Sequence, residues 1–115
     1  MQLAYLVSFF LIFNISYSQD QFYTYNRIKD TLYTWQNQFG NIQHPSDDYK
    51  DFGIIYSLDS IGYSSQDSLP IYVVKLSANV NTREPEPKVL ILGQCHAEEI
   101  YGVEIAMEII NQFLH

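Results

Sequence analysis

The sequence predicts an α/β fold, with a mixed sheet and covering helices, on three observations. Apolar residues recur with helical period over residues 25–39. Two runs rich in Ile, Val and Tyr, residues 52–60 and 70–77, have the composition of paired strands. Residues 88–93 form a short apolar run without alternation that leads straight into a second helical pattern, as a strand buried on both faces does before its covering helix.

The chain opens with an export-like segment. Leu3 to Ile15 is nearly all apolar, and Ser16 and Ser18 supply the small-x-small pattern of a cleavage site, which makes Gln19 the expected mature N-terminus. The run is shorter than the roughly 20 apolar residues that span a bilayer. No Lys or Arg precedes it, so the terminal amine is its positive end, and an uncleaved anchor or a buried helix is the other reading. The expected division is a signal peptide at 1–18 and a domain at 19–115, with secreted, periplasmic or extracellular localisation and no membrane span in the mature chain.

Thr24 is a candidate N-cap for the first helix. Tyr25, Ile28, Leu32, Trp35 and Phe39 then follow at spacings of 3, 4, 3 and 4, which puts them on one face, Trp35 among the core candidates. Gly40 closes the pattern. Residues 41–51 are polar with a proline and read as a loop. The two strand-like runs are separated by Gly62-Tyr63-Ser64-Ser65-Gln66-Asp67, so an antiparallel pair with a long turn is expected. A second loop, residues 79–87, carries two prolines. After the apolar run at 88–93, Ile100, Val103, Met107, Ile110 and Leu114 again space as 3, 4, 3 and 4. A doubly buried strand needs more neighbours than these segments supply, so the sequence reads as the opening part of a longer sheet, cut short.

Charge and cysteine content narrow the partners. All of the net charge of -7 falls after residue 18. Nucleic acid demands basic patches, so this acidity argues against it, and an anionic membrane finds nothing to hold. Cys95 is the only cysteine, so stability must come from packing or a bound metal rather than an internal disulfide.

The chemistry concentrates in Gly93-Gln94-Cys95-His96-Ala97-Glu98-Glu99, where the apolar run ends and the second helix begins. Ligands gather at that edge of an open α/β sheet. His96 and Glu99 are three apart, so a helical or turn-like backbone brings their side chains to one side. A neutral imidazole and a carboxylate are good zinc ligands. His-x-x-Glu is a short pattern, and a surface polar pair is the bland alternative. The strand, glycine and helix around it are what favour a metal.

The stretch Lys88-Val-Leu-Ile-Leu-Gly-Gln-Cys-His-Ala-Glu-Glu-Ile-Tyr-Gly-Val-Glu104 resembles the first zinc-binding motif of the zinc carboxypeptidases, the carboxypeptidase A/B and N/E superfamily. The first helix, the turn Ile61-Gly62-Tyr63-Ser64 and the strand Leu69 to Ser77 follow in the family's order, so the likeness covers residues 22–114. The resemblance implies that residues 19–115 are the N-terminal part of a mixed-sheet catalytic domain. Its zinc would be held by two His and one Glu, and His96 and Glu99 match the first two ligands. It also implies a metallocarboxypeptidase that removes C-terminal residues from peptides or proteins.

The family's third ligand, its water-activating glutamate, its Asn-Arg pair and its covering tyrosine have no counterpart here, so no catalytic residue is assigned. His115 follows the motif too soon to be the third ligand. Gly102-Val103-Glu104 resembles the Gly-x-Glu of the N/E branch. Glu98 stands where many relatives carry Arg or a small residue. It points into solvent or alters the charge on the substrate side.

Other residues keep plainer readings. Cys95 reads as a small residue buried at a strand end, with zinc ligation the alternative. His44, beside Pro45, Asp47 and Asp48, reads as part of a solvated turn, with a calcium or second-metal role as the alternative. Glu104 and Glu108 read as a solvated helix face, with paired carboxylates as the alternative. Two other functions compete with the peptidase: a zinc amidohydrolase that deacylates amino-acid conjugates, and a non-catalytic remnant that binds a partner.

Overall fold

The computed structural model describes residues 22–96 and 98–115; the export segment at 1–18 lies outside them. The elements in order are helix α1 (Tyr25–Phe39), a 3-10 turn (Asp47–Tyr49), strands β1 (Tyr56–Tyr63) and β2 (Pro70–Leu76), and helix α2 (Ile100–Leu114). Two helices with an antiparallel strand pair make a mixed α/β fold, as the sequence predicts.

Helix α1 starts where Thr24 adopts extended backbone and its hydroxyl accepts the Arg27 N–H at 3.3 Å. It ends at Gly40, whose N–H reaches the Gln36 carbonyl at 2.9 Å. Gly40 has right-handed backbone (φ -86°), so a left-handed turn is not its reason for being glycine. The Gln36 side chain lies where a Cβ on residue 40 would go, and its Oε1 accepts the Leu58 N–H at 2.8 Å. The missing side chain thus makes room for a helix-to-strand tie.

The strand pair runs in antiparallel register from Tyr56 opposite Leu76 to Tyr63 opposite Pro70, with an irregularity between Ser60 and Gly62. Strand β1 lies later than the 52–60 expected. The segment ahead of it still pairs, but irregularly: the Gly53 N–H reaches the Ala78 carbonyl at 2.8 Å and the Val80 N–H reaches the Ile54 carbonyl at 2.7 Å. At the other end Gly62 and Tyr63 join the ladder, so the turn is shorter than expected. It is closed by the Ser64 N–H on the Leu69 carbonyl at 2.8 Å, with Ser68 left-handed at φ 52°. Pro70 opens its strand, a position that tolerates a residue without an N–H.

One core joins these elements. Leu32, Trp35 and Phe39 of α1 pack with Ile55 and Tyr56, and with Met107 and Leu114 of α2. Tyr56 is fully buried, and its hydroxyl donates to the Leu32 carbonyl at 3.0 Å. Burial raises the Tyr56 phenol well above its usual range. Both helical periodicities point at this core, Ile28, Val103 and Ile110 being partly buried around it.

The expected strand at 88–93 is a correction. Residues 88–92 enter no ladder, and Val89, Leu90, Ile91 and Leu92 are 86%, 79%, 53% and 65% exposed. A strand exists by its partners' N–H and C=O groups. Among the described residues the only ladder is β1 with β2. The segment keeps the composition of a buried strand but has no neighbour to pair with among the described residues. None of the helices in the described residues is long and apolar enough to cross a membrane.

Candidate metal centre

His96 and Glu99 meet in the turn that launches α2. The Glu99 N–H reaches the His96 carbonyl at 3.1 Å, which folds the two residues back on each other. The His96 Nδ1 then lies 3.1 Å from Glu99 Oε1, and the His96 backbone N–H donates to Oε2 at 3.3 Å. Glu99 occupies the N-cap of α2, yet its side chain caps nothing, because both carboxylate oxygens turn back to His96. The expected convergence of the pair is therefore present, through a turn one residue ahead of the helix.

Hydrogen bonds from the His96 side chain, and then from its backbone N–H, hold the Glu99 carboxyl below its usual range, with the Cys95 backbone N–H adding to them and slight desolvation opposing. Both side chains are open to solvent, at 69% and 52% exposure, so a diffusing ion can reach them. An imidazole nitrogen beside a carboxylate oxygen suits a borderline cation such as zinc. The pair fits as two donors. No group of three or more His, Cys, Asp or Glu able to hold a metal gathers among the described residues.

The neighbours resolve the other expectations. Glu98 is exposed, in keeping with a side chain in solvent. Cys95 is exposed too, which corrects the expectation of a buried residue: the strand that would have buried it does not form. His115 sits at the opposite end of α2, edge-on to the Phe39 ring, and a 15-residue helix is about 22 Å long.

His44 is the larger correction. It is not in a solvated turn but 9% exposed, its ring stacked on Phe39 at 5.1 Å and tilted against Tyr49 at 4.3 Å. Nδ1 accepts the Ser46 N–H at 3.1 Å, so the ring proton sits on Nε2 and is donated to the Leu114 carbonyl at 2.8 Å. With both nitrogens spent on backbone groups, His44 is a structural clamp. The aromatic residues Phe39 and Tyr49 flanking it were the available sign of burial. Glu104 and Glu108 do not act as a pair: Glu104 accepts the Tyr23 N–H, and Glu108 accepts from Gln112 Nε2 at 2.6 Å.

Gly102 is a positional requirement that spacing alone did not reveal. A Cβ there would overlap the Gly93 carbonyl oxygen, since the limb leading to His96 crosses α2 backbone to backbone.

No match is found among curated proteins or among solved structures. A family model for zinc carboxypeptidase does match, over residues 42–115. That stretch takes in the strand pair, the His96–Glu99 turn and α2, while α1 lies ahead of it. The match spans well over half of the sequence, and on it the chain belongs to the zinc carboxypeptidase family.

Proposed function

We propose that His96 and Glu99 hold a zinc ion and that the domain serves zinc-dependent hydrolysis of C-terminal residues from peptides or proteins. The observation that carries this is the exposed 3.1 Å pairing of an imidazole nitrogen with a carboxylate oxygen, in a turn that the family match includes. When bound, zinc supplies Lewis acidity, polarising a carbonyl and lowering the pKa of its water. The chain's own part is to present the two donors. Glu99, kept ionised by His96, offers an anionic oxygen, and Nδ1 offers its lone pair once no proton lies between the two groups. Export through residues 1–18 belongs to the same proposal, supported by the uncharged apolar run and the small residues at 16 and 18. N-terminal sequencing of the secreted protein should begin at Gln19, and retention of Met1 would remove the signal assignment.

The test is zinc added stepwise to the protein while the ring protons of its three histidines are followed by NMR. The His96 resonances should shift with zinc while those of His44 and His115 stay in place. By isothermal titration calorimetry His96→Ala and Glu99→Ala should each bind zinc more weakly, and zinc affinity equal to the parent's in both would discard the ligand assignment. With two donors among the described residues, the 115-residue chain by itself should release no measurable C-terminal amino acid from peptides. Measurable release would overturn that expectation.

A further inference from the structure

Gly93 and Gly102 face each other at the neck of the loop that carries His96 and Glu99. A Cβ on Gly102 would overlap the Gly93 carbonyl oxygen and stand 3.1 Å from its carbonyl carbon. Both obstacles are backbone atoms, which cannot swing aside as the tip of a flexible side chain can. On the other limb the space is tight but passable: a Cβ on Gly93 would meet the Ala106 Cβ at 3.4 Å and the Gly102 carbonyl oxygen at 3.8 Å. Beyond the neck, the loop is drawn in by the Glu99 N–H on the His96 carbonyl and the Gly102 N–H on the Glu99 carbonyl, each at 3.1 Å. Residues 89–92 on the incoming limb are exposed and belong to no ladder among the described residues, so the limb has no strand partner there to set its distance from α2.

We infer that Gly102 is a positioning residue for the metal pair: its bare Cα lets the incoming limb lie against α2 and so sets the spacing of His96 and Glu99. This rests on the zinc reading above. Helix propensity argues the opposite way and makes the inference easy to break. Gly102 is the third residue of α2, and alanine is the better helix former at such a position. If Gly102 were only a helical residue, Gly102→Ala would strengthen α2 and leave zinc untouched. If it sets the neck, the same change pushes the limb away and spreads the donors. Loss of a supporting contact around a metal ligand costs on the order of tenfold or more in affinity.

Zinc affinity is measured by isothermal titration calorimetry for the parent, His96→Ala, Glu99→Ala, Gly102→Ala and Gly93→Val, with helix content followed by circular dichroism. The expected result is roughly a tenfold or larger loss of affinity in Gly102→Ala, with helix content kept. Gly93→Val, whose branches would press on Ala106 and Val103, should also lose affinity while leaving the residues of α2 unchanged. It decides the matter if Gly102→Ala does not fold. Parent-like affinity in a folded Gly102→Ala, or in Gly93→Val when Gly102→Ala is unfolded, overturns the positioning role. Parent-like affinity in His96→Ala and Glu99→Ala would instead sink the zinc reading beneath it.

Discussion

Two apolar stretches of this chain are treated differently by the fold. Residues 70–76, with Ile71, Val73, Val74 and Leu76, lie in a ladder opposite β1, and Val74 and Leu76 pack against the core. Residues 89–92, just as rich in Val, Leu and Ile, are mostly in solvent and pair with nothing described. Composition is nearly the same, and the difference is a neighbour. Apolar side chains are buried only when the backbone carrying them also has hydrogen-bond partners. The proposed metal ligands lie with the second stretch: the strand pair is held by α1 and α2, whereas His96 and Glu99 hang on a limb that meets α2 at two facing glycines.

The sharpest way to break this contrast is in the core. Trp35→Ala should cost about 3–5 kcal/mol in denaturant unfolding, because it empties a site 6% exposed among α1, β1 and α2. A cost under about 1 kcal/mol would mean the two regions are not so different. His44→Leu comes next. It keeps an apolar body beside Phe39 but strands the Ser46 N–H and the Leu114 carbonyl, for a loss of about 1–3 kcal/mol by the same measurement.

In the motif region, effects should be small and local. The Glu99 carboxyl ionises at lower pH in the fold than its ordinary 4.5, so its contact with His96 contributes fully above about that pH and is lost as pH falls through the depressed value. Carboxyl carbon NMR should find that midpoint below 4.5 in the parent, moving back up in His96→Ala. The smallest effect is at Leu90, 79% exposed: Leu90→Ser should leave stability within about 0.5 kcal/mol. A larger loss would show that the 88–92 limb is packed after all.

Local rules made much of this legible. Thr24, the five apolar residues of α1, and Met107 with Leu114 on α2 follow from capping and a period of 3.6 residues, and the structure agrees. The approach of His96 to Glu99 follows from a spacing of three. The failures share a cause. His44, the limb at 88–93 and Gly102 are decided by what lies across from them: Leu114, no strand partner among the described residues, and the Gly93 carbonyl. The two partners that are present lie seventy and nine positions away, and no local period points to them.

The clamp on His44 also has a timetable. Its imidazole waits for a carbonyl that lies 70 residues downstream, and the Tyr49 hydroxyl waits for Phe113, 64 residues on. A ribosome adds about 5–20 residues each second, so the ring spends roughly 4–14 s with that partner still unmade. The loop from 41 to 51 is thus among the last parts to be fastened, and protease added to stalled nascent chains should cut there until the end of α2 has emerged.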